Sequence, residues 1–151
     1  MPTCVIHTDG GARGNPGPAG AGVVIAAADA SGRGATVVYE AGFYLGETTN
    51  NVAEYTGLIR GLEQAKALGF DAVVIRSDSQ LMVKQLLGEY RVKAANLKPL
   101  YSQAIDALAG FASWSAEHVY RDKNTRADTL ANRAMDAGRD VALDASAQPR
   151  S

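Results

Sequence analysis

The sequence predicts an α/β fold, a five-stranded mixed sheet of three antiparallel strands followed by two parallel ones, covered by helices. Three observations carry that prediction. Short β-rich runs punctuated by Gly, Pro and Asp fill the first third of the chain. From Asn51 the apolar period becomes helical. Beyond that helix, Ala72-Val73-Val74-Ile75 is an uninterrupted apolar run of the kind found in buried parallel strands.

The elements follow in order. Residues 4–8 form a strand that stops at the turn signal Asp9-Gly10-Gly11, and a Gly/Pro-rich loop covers 10–22. Residues 23–25 and 36–39 are the next strands, joined by a hairpin connection over 29–34; the run at 42–45 extends the second of them. Val52, Tyr55, Ile59 and Leu62 share one helix face, and that helix ends near Leu68-Gly69. Residues 72–76 are a strand, 81–87 a helix, and 97–108 a helix with Pro99 in its first turn. Residues 114–120 alternate as a strand and 126–137 form the last helix. The order is βββ-α-β-α-α-β-α, a single domain over residues 1–138, with 139–151 expected as a flexible tail.

Composition narrows the function. The chain has 151 residues, 46% of them hydrophobic, which suffices for one core without disulfides. The lone cysteine, Cys4, has no partner in the chain and points to a reducing, cytoplasmic setting. No apolar run is long enough to span a bilayer, and the N-terminus lacks the pattern of a signal peptide. Fifteen Lys+Arg against sixteen Asp+Glu leave a net charge of -1, a balance that by itself argues against nucleic acid as a partner.

Four acids stand at predicted element ends: Asp9, Glu54, Asp78 and Asp128. Each has an ordinary structural explanation. Asp9 precedes two glycines and suits a turn. Asn51-Val52-Ala53-Glu54 and Thr125-Arg126-Ala127-Asp128 have the form of capping boxes, and Ser77-Asp78-Ser79 can cap a helix. Their joint placement favours another role. The strands ending at Asp9 and Asp78 would be adjacent and parallel, so both carboxylates fall at the carboxyl edge of the sheet, where open α/β sheets place their sites. Clustered carboxylates need cations, and hard oxygen ligands select Mg²⁺ or Mn²⁺. His7 and His118 lie within predicted strands and are given structural roles.

Thr8-Asp9-Gly10-Gly11-Ala12-Arg13-Gly14-Asn15-Pro16-Gly17, Thr49-Asn50-Asn51-Val52-Ala53-Glu54, Ser77-Asp78-Ser79-Gln80 and Asn124-Thr125-Arg126-Ala127-Asp128 resemble, in order, the signature blocks of type 1 ribonuclease H. The resemblance covers roughly residues 3–138. It implies a ribonuclease H-like fold and endonucleolytic hydrolysis of the RNA strand of RNA/DNA hybrids, leaving 5′-phosphate and 3′-hydroxyl ends. It also implies that Asp9, Glu54, Asp78 and Asp128 are catalytic and hold two Mg²⁺ ions (Mn²⁺ is an alternative) when substrate is bound. Gly10, Gly11 and Arg13 belong to the segment that approaches the RNA strand. Asn15, Asn50, Asn51 and Gln80 match minor-groove contacts, and Thr49 matches a position that helps hold a DNA phosphate.

Departures from the family pattern are visible as well. Where many members carry a loop histidine before the last aspartate, this chain has Arg121, to which the resemblance assigns that catalytic role. The stretch 88–95 is too short for the basic protrusion of many bacterial members, and Glu47 and Ala94 stand where some members place Arg and Asn. The near-neutral charge then reads as an acidic metal cluster plus a missing protrusion, and predicts weaker hybrid binding in a monomer. Two alternatives remain at this stage: another nuclease of the same fold, and a catalytically weak hybrid-binding module.

Overall fold

A computed structural model describes residues 2–28 and 35–142. Six strands form one sheet in the order β5-β4-β1-β2-β3-β6: β1 (Thr3–Ala12), β2 (Gly17–Ala28), β3 (Ala35–Thr48), β4 (Ala72–Ser77), β5 (Ser113–His118) and β6 (Val141–Ala142). The first three are antiparallel neighbours, whereas β4 lies parallel to β1 and β5 parallel to β4. The five expected strands are therefore present in the expected arrangement. The hairpin connection expected at 29–34 lies outside the described residues.

Four helices cover the sheet: α1 (Asn50–Ala67), α2 (Gln80–Leu86), α3 (Lys98–Ala109) and α4 (Thr125–Ala137). Strand alternation sends Cys4, Ile6, Val23 and Ile25 into the main core, with Tyr55, Leu58, Ile59 and Leu62 of α1 and Leu108 of α3. Val24, between two of those positions, points the other way and packs with Ala127 and Leu130 of α4. Burial of each such aliphatic side chain contributes about 1.5–3 kcal/mol. Cys4 is fully buried and its thiol is pushed up to about 12 by burial, an inert core group.

Two expectations need correction. The first strand does not stop at Asp9; β1 runs on to Ala12, pairing Gly10 with Ala21 and Gly11 with Gly20. Most of the expected loop over 10–22 is thus two strands around a turn. Gly14, at φ +99°, makes the turn, whereas Gly10, Gly20 and Gly22 within the strands are there for close approach of helix backbone. A Cβ on Gly10 would lie 2.5 Å from the Ala53 carbonyl carbon of α1. One on Gly22 would fall on the Ala127 carbonyl oxygen of α4. Secondly, the segment expected as a tail begins on the sheet. Val141 and Ala142 pair with Gly42 and Ala41, and Tyr44 N–H donates to Asp140 Oδ1 at 2.9 Å. Residues 143–151 lie outside the described residues. Among the described helices, none is long and apolar enough to cross a membrane.

Candidate active site

The register of β1 against β4 sets the site. Thr8 pairs with Ser77, so Asp9 and Asp78 follow at the same level of two neighbouring parallel strands. From there β4 gives way to α2, while β1 continues with β2 alone. The close approach at Gly10 brings in the N-terminal part of α1 and with it Glu54. Carboxylate oxygens of Asp9, Glu54 and Asp78 come within 4.8 Å of one another. Asp128, in the first turn of α4, lies close enough to Asp9 to raise its pKa and lines the same cleft, of about 500 Å³, which Arg121 also lines.

The capping explanations for these acids do not hold. Thr49 caps α1, its Oγ1 accepting from Val52 N–H at 3.3 Å, and Glu54 is the fifth helical residue, beyond the first turn. Ser79 caps α2 by accepting from Met82 N–H at 3.2 Å, which leaves Asp78 free of that duty. The residue before α4 is Asn124, without a side-chain cap, so Asp128 completes no capping box. Asp9 accepts from Gly10 N–H at 3.0 Å but sits inside a strand, not in a turn.

The electrostatics call for a cation. Burial pushes the Asp9 carboxyl up to about 8, helped by Asp128, to whose carboxylate the protonated Asp9 can donate, and by the charge of Asp78. Burial also raises Glu54 well above the ordinary carboxylate range, and the charges of Asp9 and Asp78 add to it. The buried Glu54 Oε1 has no hydrogen-bond partner. An all-oxygen donor set with one buried, unpartnered carboxylate oxygen fits a hard divalent cation.

Asn124 was not singled out by sequence, although it opens the last signature block. It is buried, and its Nδ2 donates to the Thr8 carbonyl at 2.8 Å and to Asp78 Oδ1 at 3.5 Å. Its own carbonyl accepts the Asp128 N–H at 3.1 Å. One side chain and its peptide thereby tie together the elements bearing Asp9, Asp78 and Asp128. A second tie is the two-pronged pair of Arg126 with the buried Glu40 of β3, which anchors the start of α4.

The remaining sequence-predicted residues divide into two groups. Gly10, Gly11, Arg13 and Asn50 line the cleft with the acids. Arg121 lies at its rim, its Nε 3.7 Å from Asp78 Oδ2. Asn15, Thr49, Asn51 and Gln80 do not line it. Asn15 instead accepts the Asn50 N–H at 3.0 Å, while Asn50 Oδ1 accepts the Ala12 N–H at 2.7 Å, so the two amides brace the β1–β2 turn against α1. Asn51 and Gln80 are exposed at the starts of α1 and α2, and Asn51 is not the cap of its helix.

A family model described as reverse transcriptase-like matches residues 7–134. Ribonuclease H of Pseudomonas syringae pv. syringae is 32% identical over 152 residues, covering 90% of this chain and 94% of its own. The chain belongs to the ribonuclease H-like family. This ribonuclease H-like chain is also 49% identical over 133 residues to the bifunctional protein Rv2228c of Mycobacterium tuberculosis, covering 88% of this chain but 35% of that protein. It thus spans about a third of the length of the mycobacterial relatives it matches. The solved N-terminal RNase H domain of Rv2228c superposes with a TM-score of 0.84 at 47% identity, covering 91% of this chain and 96% of that one. LC11-RNase H1, solved in complex with an RNA/DNA hybrid, gives 0.80 at 44% identity, with 89% and 98% covered.

Proposed function

We propose that the protein is a metal-dependent endoribonuclease that hydrolyses the RNA strand of RNA/DNA hybrids, leaving 5′-phosphate and 3′-hydroxyl ends. The observation that carries this is the convergence of Asp9, Glu54 and Asp78, with Asp128 beside them, in one open cleft of a ribonuclease H-like fold. Two Mg²⁺ or Mn²⁺ ions held by these four carboxylates would supply the positive charge for a water nucleophile and a leaving 3′-oxygen.

The chain's own residues do the rest. Asp9 and Glu54 are buried and poised to lose their protons when a cation arrives. Asn124 holds the three strand and helix ends in register. The backbone at Gly11 has no side chain in the way of a close-lying RNA strand, and Gly10 beside it lets α1 press close. Asn50 spends its oxygen on the end of β1 and offers its amide N–H groups to base edges in the minor groove, and Asn15, Asn51 and Gln80, outside the cleft itself, would meet the groove beyond it. Thr49 keeps its hydroxyl proton for a DNA phosphate. Arg121 is 81% exposed, touches Asp78 from one side only, and is suited to escort the released phosphate or a proton in place of the family's loop histidine. We place this activity in a cytoplasmic monomer without a basic protrusion.

The test is a panel of end-labelled substrates: RNA/DNA hybrid, duplex RNA and duplex DNA, each with and without Mg²⁺ or Mn²⁺. Cutting confined to the RNA of the hybrid and dependent on metal is expected. Cutting of duplex DNA instead favours another nuclease of this fold, and tight binding without cutting favours a hybrid-binding module. In the same assay Arg121→Ala is expected to lower kcat roughly 10–100-fold with KM within about twofold. A normal kcat returns Arg121 to an ordinary surface cation.

A further inference from the structure

Arg13 and Arg121 are the two cations lining the acidic cleft, and they are held very differently. Arg121 is nearly free. Arg13, in the turn between β1 and β2, reaches across the cleft mouth to α4. Its Nη1 lies 2.7 Å from Asp136 Oδ1, and its Nη2 donates to Asn132 Oδ1 at 3.2 Å and to the Asn132 carbonyl at 3.4 Å. Asn132 in turn donates from Nδ2 to the Asp128 carbonyl at 3.0 Å and to Asp128 Oδ1 at 3.4 Å. Asp128, Asn132 and Asp136 recur every fourth residue, one stripe of α4 facing the turn.

We propose that Asp136 is a latch that tunes substrate affinity: it occupies the Arg13 guanidinium in the free protein, and a phosphate of the hybrid takes its place in the complex. This rests on the reading of the chain as a hybrid-cutting enzyme. The contact with Asp136 is one-pronged, through Nη1 alone, and a phosphate oxygen can take the place of a carboxylate oxygen on that N–H while Nη2 stays on Asn132. The side chains of Arg13 and Asp136 are 46% and 68% exposed, so the ion pair between them is weak enough to be displaced. Asn132 keeps the guanidinium aimed at the cleft when Asp136 lets go. With net charge -1, and with Arg121 the one other cation among the described residues lining the cleft, Arg13 is the group whose release matters.

The latch is tested on four proteins: wild type, Arg13→Ala, Asp136→Asn and the double variant. Each is measured for kcat and KM on the hybrid across a salt series, and for anisotropy of a fluorescent hybrid in EDTA. Asp136→Asn is expected to lower KM about two- to fivefold with kcat within about twofold. Arg13→Ala is expected to raise KM and to flatten the slope of log affinity against log salt by about 0.7–0.9. In the Arg13→Ala background, Asp136→Asn should change nothing. The latch is overturned if Asp136→Asn raises KM as Arg13→Ala does, which makes the pair a structural clip. It is equally overturned if Asp136→Asn lowers KM to the same extent without Arg13, which makes it long-range repulsion, or leaves binding unchanged. A wild type that binds hybrid without cutting it counts against the enzymatic reading, while the anisotropy pattern still decides the latch.

Discussion

Asp9→Asn is expected to abolish hybrid cleavage while making the metal-free protein more stable. The loss follows from the position of Asp9 between Glu54, Asp78 and Asp128. A bound cation supplies several kcal/mol of charge stabilisation to phosphodiester hydrolysis, so removing its central ligand should cost at least about a thousandfold in kcat. The stability gain follows from the sign of the pKa shift. In the folded, metal-free protein the carboxyl keeps its proton up to about pH 8, against an ordinary value of 3.8. Between those pH values the folded state binds more protons than the unfolded chain, so stability falls as pH rises through the window. An amide cannot ionise and escapes that loss. At pH 8 without metal, relief of about 2 kcal/mol should raise Tm by about 4–8 °C. Mg²⁺ should raise the Tm of the wild type and do much less for the variant. Scanning calorimetry of both proteins at pH 5 and pH 8 checks this; a variant less stable than wild type at pH 8 contradicts the buried-charge assignment.

Gly22→Ala is expected to be the most destabilising glycine-to-alanine change among the described residues. The added Cβ would fall on the Ala127 carbonyl oxygen, which is backbone and cannot swing aside, so α4 must lift from β2. Overpacking of this kind costs about 1–3 kcal/mol where side chains can adjust, and here at least about 3 kcal/mol is expected. Lifting α4 also carries Asp128 away from Asp9, so activity should fall even under conditions where the variant is folded. Gly11→Ala is the control for stability, since its nearest neighbour would be the side-chain oxygen of Asn50 at 3.8 Å. Urea midpoints of the two variants and the wild type settle the comparison; equal midpoints for Gly22→Ala and wild type would show that helix and strand are not in contact there.

The same two residues mark how far the sequence could be read. Helix α1 was legible because Tyr55, Ile59 and Leu62 repeat at helical spacing and all three are buried. The pairing of Asp9 with Asp78 was legible too, because strand order alone puts β1 beside β4. The glycine-rich stretch misled, since glycine is depleted in strands and enriched in turns. Its reason for being in β1 and β2 is helix backbone pressed against the sheet, which no local pattern displays. The capping patterns were legible in part: Ser79 of the Ser-Asp-Ser run does cap α2, one residue from Asp78, whereas the cap of α1 is Thr49, five residues before Glu54 and outside the expected capping box. Most of what braces the site joins residues remote in sequence. Arg126 meets Glu40 across 86 positions, Asn124 meets Thr8 across 116, and Arg13 meets Asn132 across 119. Hydrogen-bonding side chains carry no periodicity, so such pairs become visible only once the chain is folded.

The most direct test of the central claim, that the four acids make a bound water the nucleophile at an RNA phosphodiester, is the chemistry of the cut ends. RNA in a hybrid is cleaved with Mg²⁺, and the fragments are examined for polymerase extension and for 2′,3′-cyclic phosphate. Extendable 3′-hydroxyl ends that appear only with metal, and not from Asp9→Asn, are predicted. Cyclic phosphate ends, or cleavage that persists in EDTA, would contradict it.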